Sequence, residues 1–177
     1  MVGLPGSGKS FAADTLKKRF KAEVFHSGDI IREEIKRRGL KYTPETDALI
    51  AHWFHTSGRE KLLIKIVWDK IRKSKKKLIV IDGLRSDKQL KYLKDYYKRK
   101  PVIIFIKTSF KIRANRELRR GRFGKQETIN YLRYREKLEK RHGILKLIKK
   151  ANYTINNTNL TKKQFENKIL KLIKKIT

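Results

Sequence analysis

The 177-residue chain contains no cysteine, which excludes disulfides and thiolate metal sites. It has no apolar stretch long enough to cross a bilayer. Its first residues form a glycine-rich turn rather than the apolar core of a signal peptide. The expectation is a soluble, cytoplasmic protein without a membrane partner. Acidic residues are scarce, with 17 Asp and Glu against 48 Lys and Arg and a formal charge of +31. Such a field attracts phosphorylated substrates. It has two readings. One is an electrostatic footprint for a nucleic-acid partner. The other is compositional bias, with runs such as Lys75-Lys76-Lys77 and Lys174-Lys175 as solvated helix ends. The length predicts a single domain over residues 1–177 with a sizeable core. No repeat or low-complexity linker divides it.

What the chain does have is Gly3-Leu4-Pro5-Gly6-Ser7-Gly8-Lys9-Ser10, a match to G-x-x-x-x-G-K-[ST]. Gly3, Gly6 and Gly8, with Pro5 and Ser7 between them, let the backbone curl until consecutive N–H groups face one set of phosphate oxygens. Lys9 reaches the β- and γ-phosphates, and the Ser10 hydroxyl can ligate Mg²⁺. Phe11, Ala12, Leu16 and Phe20 form a helical stripe directly after the loop. That helix aims the positive end of its dipole at the same anion. ATP and Mg²⁺ are the predicted cofactors; the bland alternative is a chance turn. A phosphate loop follows a buried strand, yet only Met1 and Val2 precede Gly3. The first strand is therefore expected to be truncated, through a shortened or misassigned start.

Four later segments read as strands: Glu23–His26, Lys77–Asp82, Pro101–Lys107 and Tyr153–Asn156. Helical patterns over Ser27–Arg38, Pro44–Ser74, Ser86–Lys98 and Ser109–Arg120 separate them, and a capping box from Thr161 to Gln164 opens a last helix. Strand–helix alternation predicts an α/β fold of three layers, a P-loop NTPase fold with a parallel five-stranded sheet. Residues 28–73 and 113–143 exceed simple crossovers. They are expected to be helical flaps on the side of the sheet where ligands bind, one for an acceptor and one an Arg-rich lid.

Ser27-Gly28-Asp29-Ile30-Ile31-Arg32 resembles the S/T-G-D-x-x-R motif that opens the acceptor helix of nucleoside monophosphate kinases, adenylate kinase in particular. The resemblance implies that Arg32 grips an acceptor phosphate and that Asp29 stands near the Mg²⁺ waters. An arginine fork suits a phosphate bidentately; the alternative is an ordinary helix start. Leu78-Ile79-Val80-Ile81-Asp82-Gly83 ends on an acid, the Walker-B arrangement that sets Asp82 beside the metal at Ser10. The following Leu84-Arg85 is similar to the D-G-x-P-R segment of adenylate kinases, without its proline and one residue shorter. This implies a second acceptor ligand at Arg85.

The string Arg116-Glu117-Leu118-Arg119-Arg120-Gly121-Arg122 resembles the lid entrance of the same kinases. It implies that Arg116 stacks on the donor adenine and Arg120 meets the donor phosphates. A helix from Glu127 to Arg133-Tyr134-Arg135 supplies further cations, with Arg133 expected to act in catalysis. Arg113 and Arg119 are expected at the surface. Ala151-Asn152-Tyr153-Thr154-Ile155-Asn156-Asn157 resembles the closing strand and loop of nucleotide kinases, including dephospho-CoA kinase, and implies that Asn157 lines the donor base. His52 and His55, one helical turn apart, lack a third metal ligand in sequence.

Taken together, the order of motifs is similar to that of archaeal adenylate-kinase-related proteins. That resemblance implies transfer of the γ-phosphoryl group of ATP·Mg²⁺ to an AMP-like nucleoside monophosphate. A dephospho-CoA kinase, with Asp29 as base, is one alternative. A nucleotide-dependent RNA- or ribosome-associated ATPase is an alternative of another class.

Overall fold

The computed structural model describes residues 1–56, 58–97 and 100–177. Ser57, in the segment expected to form an acceptor flap, and Lys98, the last residue of a predicted helix, lie outside them. The phosphate loop runs into α1 (Lys9–Phe20), followed by β1 (Glu23–His26), α2 (Ser27–Arg37), α3 (Pro44–Phe54), α4 (Arg59–Ile71), β2 (Ile79–Asp82) and α5 (Asp87–Tyr97). Then come β3 (Ile104–Lys107), α6 (Phe110–Arg120), α7 (Lys125–Arg141), α8 (Ile144–Lys149), β4 (Tyr153–Asn156) and α9 (Lys162–Ile176).

The strands form two parallel pairs. β1 lies beside β2 from Glu23 opposite Ile79 to His26 opposite Asp82, and β3 lies beside β4 from Ile104 opposite Tyr153 to Lys107 opposite Asn156. Met1 and Val2 join the pairs. Val2 N–H donates to Ile104 O at 2.9 Å, and Ile106 N–H donates to Val2 O at 2.9 Å. On the other side the Met1 ammonium donates to Ile81 O at 2.5 Å, and Gly83 N–H donates to Met1 O at 3.2 Å. The expected five strands are thus corrected to four among the described residues, with the first reduced to an isolated bridge between Val2 and Phe105. A cavity of about 440 Å³, lined by Met1, Val2, Ile79, Ile81, Ile103 and Leu93 among others, lies between β2 and β3.

The predicted helix over Pro44–Ser74 is two helices, because Gly58 takes φ 76° and restarts the chain as α4. Thr43 and Thr46 cap α3 reciprocally, with Thr46 N–H on Thr43 Oγ1 at 3.2 Å and Thr43 N–H on Thr46 Oγ1 at 2.9 Å. Pro44, with no N–H to lose, fills the first helical position. That start places Asp47 in the first turn. The ladders of β2 and β3 begin later than predicted, at Ile79 and Ile104. Pro101 has no donor to give a ladder.

Helices cover both faces. On one, Ala12 and Leu16 of α1 and Phe165, Ile169 and Ile173 of α9 pack against Val80, Ile104, Ile106 and Ile155. The capping box predicted for α9 is present, with Gln164 N–H on Thr161 Oγ1 at 3.2 Å. On the other face, Ile30 and Ile35, Ile50 and Phe54, Ile64 and Val67, Leu90 and Leu93, and Ile144 and Leu147 form the larger cluster. Each such buried side chain contributes about 1.5–3 kcal/mol. A smaller cluster of Ala114, Tyr131 and Leu132, with Phe110 and Phe123 against it, fastens α7 to α6. This is a three-layer α/β fold, and it brings the ends of β1 and β2 beside the phosphate loop.

Candidate nucleotide-binding site

The loop is held from behind. Ser7 O accepts from Thr108 Oγ1 at 3.0 Å, the Arg116 guanidinium at 3.2 Å and Asn157 Nδ2 at 2.9 Å. Gly6 and Gly8 have φ of 77° and 103°, and a Cβ on either would stand 2.7 Å from Arg113 O or Asn157 Nδ2. Only glycine fits both the conformation and the space. With its carbonyls bound away from the cavity, the loop keeps the Gly6 and Gly8 amides without a partner among the described residues. That leaves them for phosphate oxygens.

At the start of α1, Lys9 is buried and its Nζ donates to Leu4 O at 3.1 Å. Burial lowers its pKa to about 8, with the nearby Asp82 charge opposing the shift. Asp82, at the end of β2, is the hub of this corner. Its Oδ2 accepts from Ser10 Oγ at 2.8 Å and contacts His26 Nδ1 at 2.9 Å. Burial alone would raise the Asp82 pKa, but the His26 hydrogen bond and the Lys9 charge hold it well below the usual carboxylate range. The same bond raises His26 above its ordinary value, against the effect of burial. The strand register explains the pairing, since His26 and Asp82 are direct partners across β1 and β2.

Asp82 Oδ1 is buried and has no hydrogen-bond partner. An ionised carboxylate with a free oxygen, beside a hydroxyl and next to a phosphate cradle, fits a hard cation such as Mg²⁺. Ser10 and Asp82 are the residues that would hold it. Asp29, expected near the waters of the metal, does not line the cavity; it pairs with Arg32 one helical turn on, and its charge reaches His26.

A single cavity of about 220 Å³ joins this corner to the arginines. Pro5, Gly6, Gly8, Lys9, Ser10, Arg32, Asp82, Arg85 and Arg120, all named from the sequence, line it together. Gly3 and Ser7 support the loop instead. Arg32 is half-exposed. Arg85 pairs with the buried Glu139, and burial, then the neighbouring Arg135, lower its pKa to about 10. Arg120 bonds Glu117 at 2.7 Å, and Arg122 pairs with the same carboxylate.

Other expected roles move. Arg133 is exposed, with its guanidinium over the Phe110 ring at 5.9 Å, whereas Arg135, two residues on, is buried and lines the cavity. On a helix, two residues is more than half a turn, so the two cannot share a face. Arg113, expected in solvent, is buried and bonds Glu136 at 2.5 Å and Pro5 O at 3.3 Å. Arg119 is exposed, as expected. Arg116 and Asn157 lie together behind the loop, with Arg116 donating to Asn157 O at 3.1 Å. Sequence reasoning missed His26, Asp47, Glu117 and Tyr131, all of which line the cavity. For His26 there was a signal: it ends the strand beside the Walker-B strand. Asp47 and Tyr131 meet across 84 positions of chain, with Tyr131 O–H donating to Asp47 Oδ2 at 2.6 Å, and no local pattern announces that.

The exposed lysines are distributed over α1, α4, α5, α7 and α9 rather than gathered on one element. No helix among the described residues is long and apolar enough to cross a membrane.

A family described as "AAA domain" matches residues 2–133. The UPF0200 protein PH1008 of Pyrococcus horikoshii is 34% identical over 179 residues, covering 99% of this chain and 95% of the relative. The chain belongs to the UPF0200 family. A second member, TK1334 of Thermococcus kodakarensis, is 31% identical and covers 99% of this chain and 96% of its own length. Among solved structures, a gluconokinase from Sinorhizobium meliloti superposes with a TM-score of 0.65 at 12% identity, covering 99% of this chain and 90% of that one. A shikimate kinase from Acinetobacter baumannii in complex with shikimate gives 0.56 at 19%, covering 99% and 92%. The fold is thus that of these two kinases.

Proposed function

We propose that this UPF0200 protein transfers the γ-phosphoryl group of ATP·Mg²⁺ to a small acceptor that carries its own anion, a nucleoside monophosphate of AMP type. The observation that supports this most is the composition of one cavity, in which a phosphate loop with Lys9, Ser10 and Asp82 shares walls with Arg32, Arg85, Arg120 and Arg135. One triphosphate does not need that many cations.

In this reading Lys9 and the loop amides seat the donor's β- and γ-phosphates. Mg²⁺, when bound by Ser10 and Asp82, neutralises charge that develops on the phosphoryl oxygens. Arg116 and Asn157, next to each other behind the loop, mark the side on which the donor base would lie. Donor phosphates would replace Glu117 on Arg120, since a phosphate is the stronger bidentate partner. Arg32 and Arg85 hold the acceptor phosphate. Its oxygen is already ionised near neutral pH, so it attacks the γ-phosphorus directly as the bond to the β–γ bridging oxygen breaks. ADP leaves and no proton needs to be removed. The protein's part is in-line positioning and charge neutralisation.

A hydroxyl acceptor, as in a dephospho-CoA kinase, is the second reading. It is favoured by the buried carboxylate Asp47 in the cavity, in place of the Asp29 that sequence reasoning had chosen as base. The test is ADP formation from ATP·Mg²⁺ with AMP, CMP, UMP, GMP and dephospho-CoA offered separately. Acceptor-dependent ADP with a monophosphate is the expected result. Equal ADP without any acceptor contradicts both kinase readings and favours an ATPase.

A further inference from the structure

One feature of the cavity does not follow from gripping phosphates. Asp47 is a buried carboxylate among cations that would otherwise attract only anions. A negative group there repels a phosphate, so it must be matched by a donor to be tolerated. Its protein partners match it only in part. The Tyr131 hydroxyl donates to Oδ2 at 2.6 Å, and burial, despite Arg135 nearby, keeps that phenol protonated above its ordinary pKa. No hydrogen bond among the described residues reaches Asp47 Oδ1. Arg135, the natural counter-ion, is 3.8 Å from Asp47 Oδ2 through Nε, beyond hydrogen-bond distance. That Nε is buried with no partner, although the Arg135 side chain is only 5% exposed and lines the same cavity. The rest of its guanidinium leans on Glu139 at 3.6 Å, which Arg85 already engages. A loosely coupled acid and base, each with an unused polar atom, form a complementary donor and acceptor pair.

We propose that Asp47 and Arg135 read the body of the acceptor rather than its phosphate. Asp47 accepts a hydrogen bond from a hydroxyl or amino group, and Arg135 Nε donates to an adjacent oxygen or ring nitrogen. This rests on the kinase reading above and narrows it to acceptors that carry such a donor beside the anion. The two residues come from α3 and α7, one from each flap, so an acceptor that satisfies both ties the flaps together. Tyr131 acts as a positioning residue, orienting the carboxylate without being consumed by the acceptor.

The experiment uses the full chain and three probes: AMP, 2′-deoxy-AMP, which lacks a ribose hydroxyl, and IMP, which lacks the base amino group. Steady-state kcat/KM is measured for the wild type, Asp47→Ala and the nearly isosteric Asp47→Asn, with thermal unfolding of each. The wild type should favour AMP over one of the two analogues by about 10- to 100-fold, the size of one hydrogen bond to a charged group. Which analogue suffers identifies the group that Asp47 reads. Both variants should lose that ratio, raise the AMP KM and leave the KM for ATP within about twofold. If Asp47→Ala does not fold, Asp47→Asn carries the test. Ratios unchanged in the variants, or a wild type that does not distinguish the three probes, overturn this proposal while the kinase reading stands. Absence of transfer to any monophosphate by the wild type overturns the kinase reading and this one together.

Discussion

The two ends of the cavity are built differently. At the donor end, the parts are neighbours in sequence: Gly6, Gly8, Lys9 and Ser10 lie within five residues, and the loop carbonyl of Ser7 is held by Thr108, Arg116 and Asn157. At the acceptor end, Arg32, Asp47, Arg85, Glu117, Tyr131 and Arg135 come from five helices or loops. Around the cavity the arginines are engaged with internal carboxylates, Arg85 with Glu139, Arg120 and Arg122 with Glu117, and Arg32 with Asp29. The donor end is a backbone cradle whose shape the loop itself dictates. The acceptor end is a set of ion pairs whose geometry depends on how two helical flaps meet. In the proposed reading the first is preorganised, and the second exchanges partners when a substrate enters.

The largest test of that contrast is Lys9→Ala. It removes the loop's own cation and should lower transfer by about 10²–10³-fold with little change in unfolding temperature. ADP formation within a few-fold of wild type would mean that the cradle is not where the donor sits. The acceptor end should split into two behaviours. Arg85→Ala removes the closer of two arginines on the buried Glu139, leaving it Arg135 at 3.6 Å, and should cost about 1–3 kcal/mol of stability along with activity. Arg32→Ala, on a half-exposed pair, should raise the acceptor KM about tenfold or more while stability moves by no more than about 0.5 kcal/mol. Equal stability losses in both would erase the distinction between buried and exposed acceptor arginines.

Protons sharpen the comparison further. Lys9 is charged below about pH 8 and neutral above it, and ATP prefers the charged form. Affinity for ATP should therefore fall above pH 8, approaching tenfold per pH unit, and binding should take up a proton there in calorimetry. A flat affinity from pH 7.5 to 9.5 would contradict the buried position of Lys9. Outside the lining of the cavity, His142 stacks on His55 at 4.2 Å and on His52 at 5.2 Å. Burial, then those two rings, lower its pKa to about 3. The unfolded chain takes up that proton first, so the stabilisation is complete above about pH 6.5 and declines as the pH falls. The unfolding temperature should drop between pH 7 and pH 5, and His142→Gln should flatten the drop. The smallest effect expected is from Arg133→Ala, which should leave kinetics within about twofold because that side chain faces solvent over Phe110.

Sequence reasoning brought Gly6, Gly8, Lys9 and Ser10 to one cavity wall because a phosphate loop is local: spacing and glycine content fix its backbone. The same holds for β1 and β4, whose bounds at Glu23–His26 and Tyr153–Asn156 are those expected. It failed where tertiary contacts decide. Arg133 and Arg135 are equivalent as cations in sequence, and only the packing of α7 on α3 and α6 says which faces the cavity. Arg113 was misplaced for the same reason, since its ion pair with Glu136 spans 23 residues. Asp29 satisfied a motif, and in the structure it pairs with Arg32 on its own helix. The first strand shows the limit of analogy: two residues, Met1 and Val2, make enough backbone hydrogen bonds to join the strand pairs without forming a strand.

The central claim is that one cavity holds two separate anion sites. Calorimetric titration of AMP into the chain, with and without saturating non-hydrolysable ATP analogue and Mg²⁺, tests it directly. The account predicts that AMP still binds when the donor site is full, with Lys9→Ala abolishing only the analogue's binding and Arg32→Ala weakening only that of AMP. Mutual exclusion of the two nucleotides, with both lost together in Lys9→Ala, would contradict it.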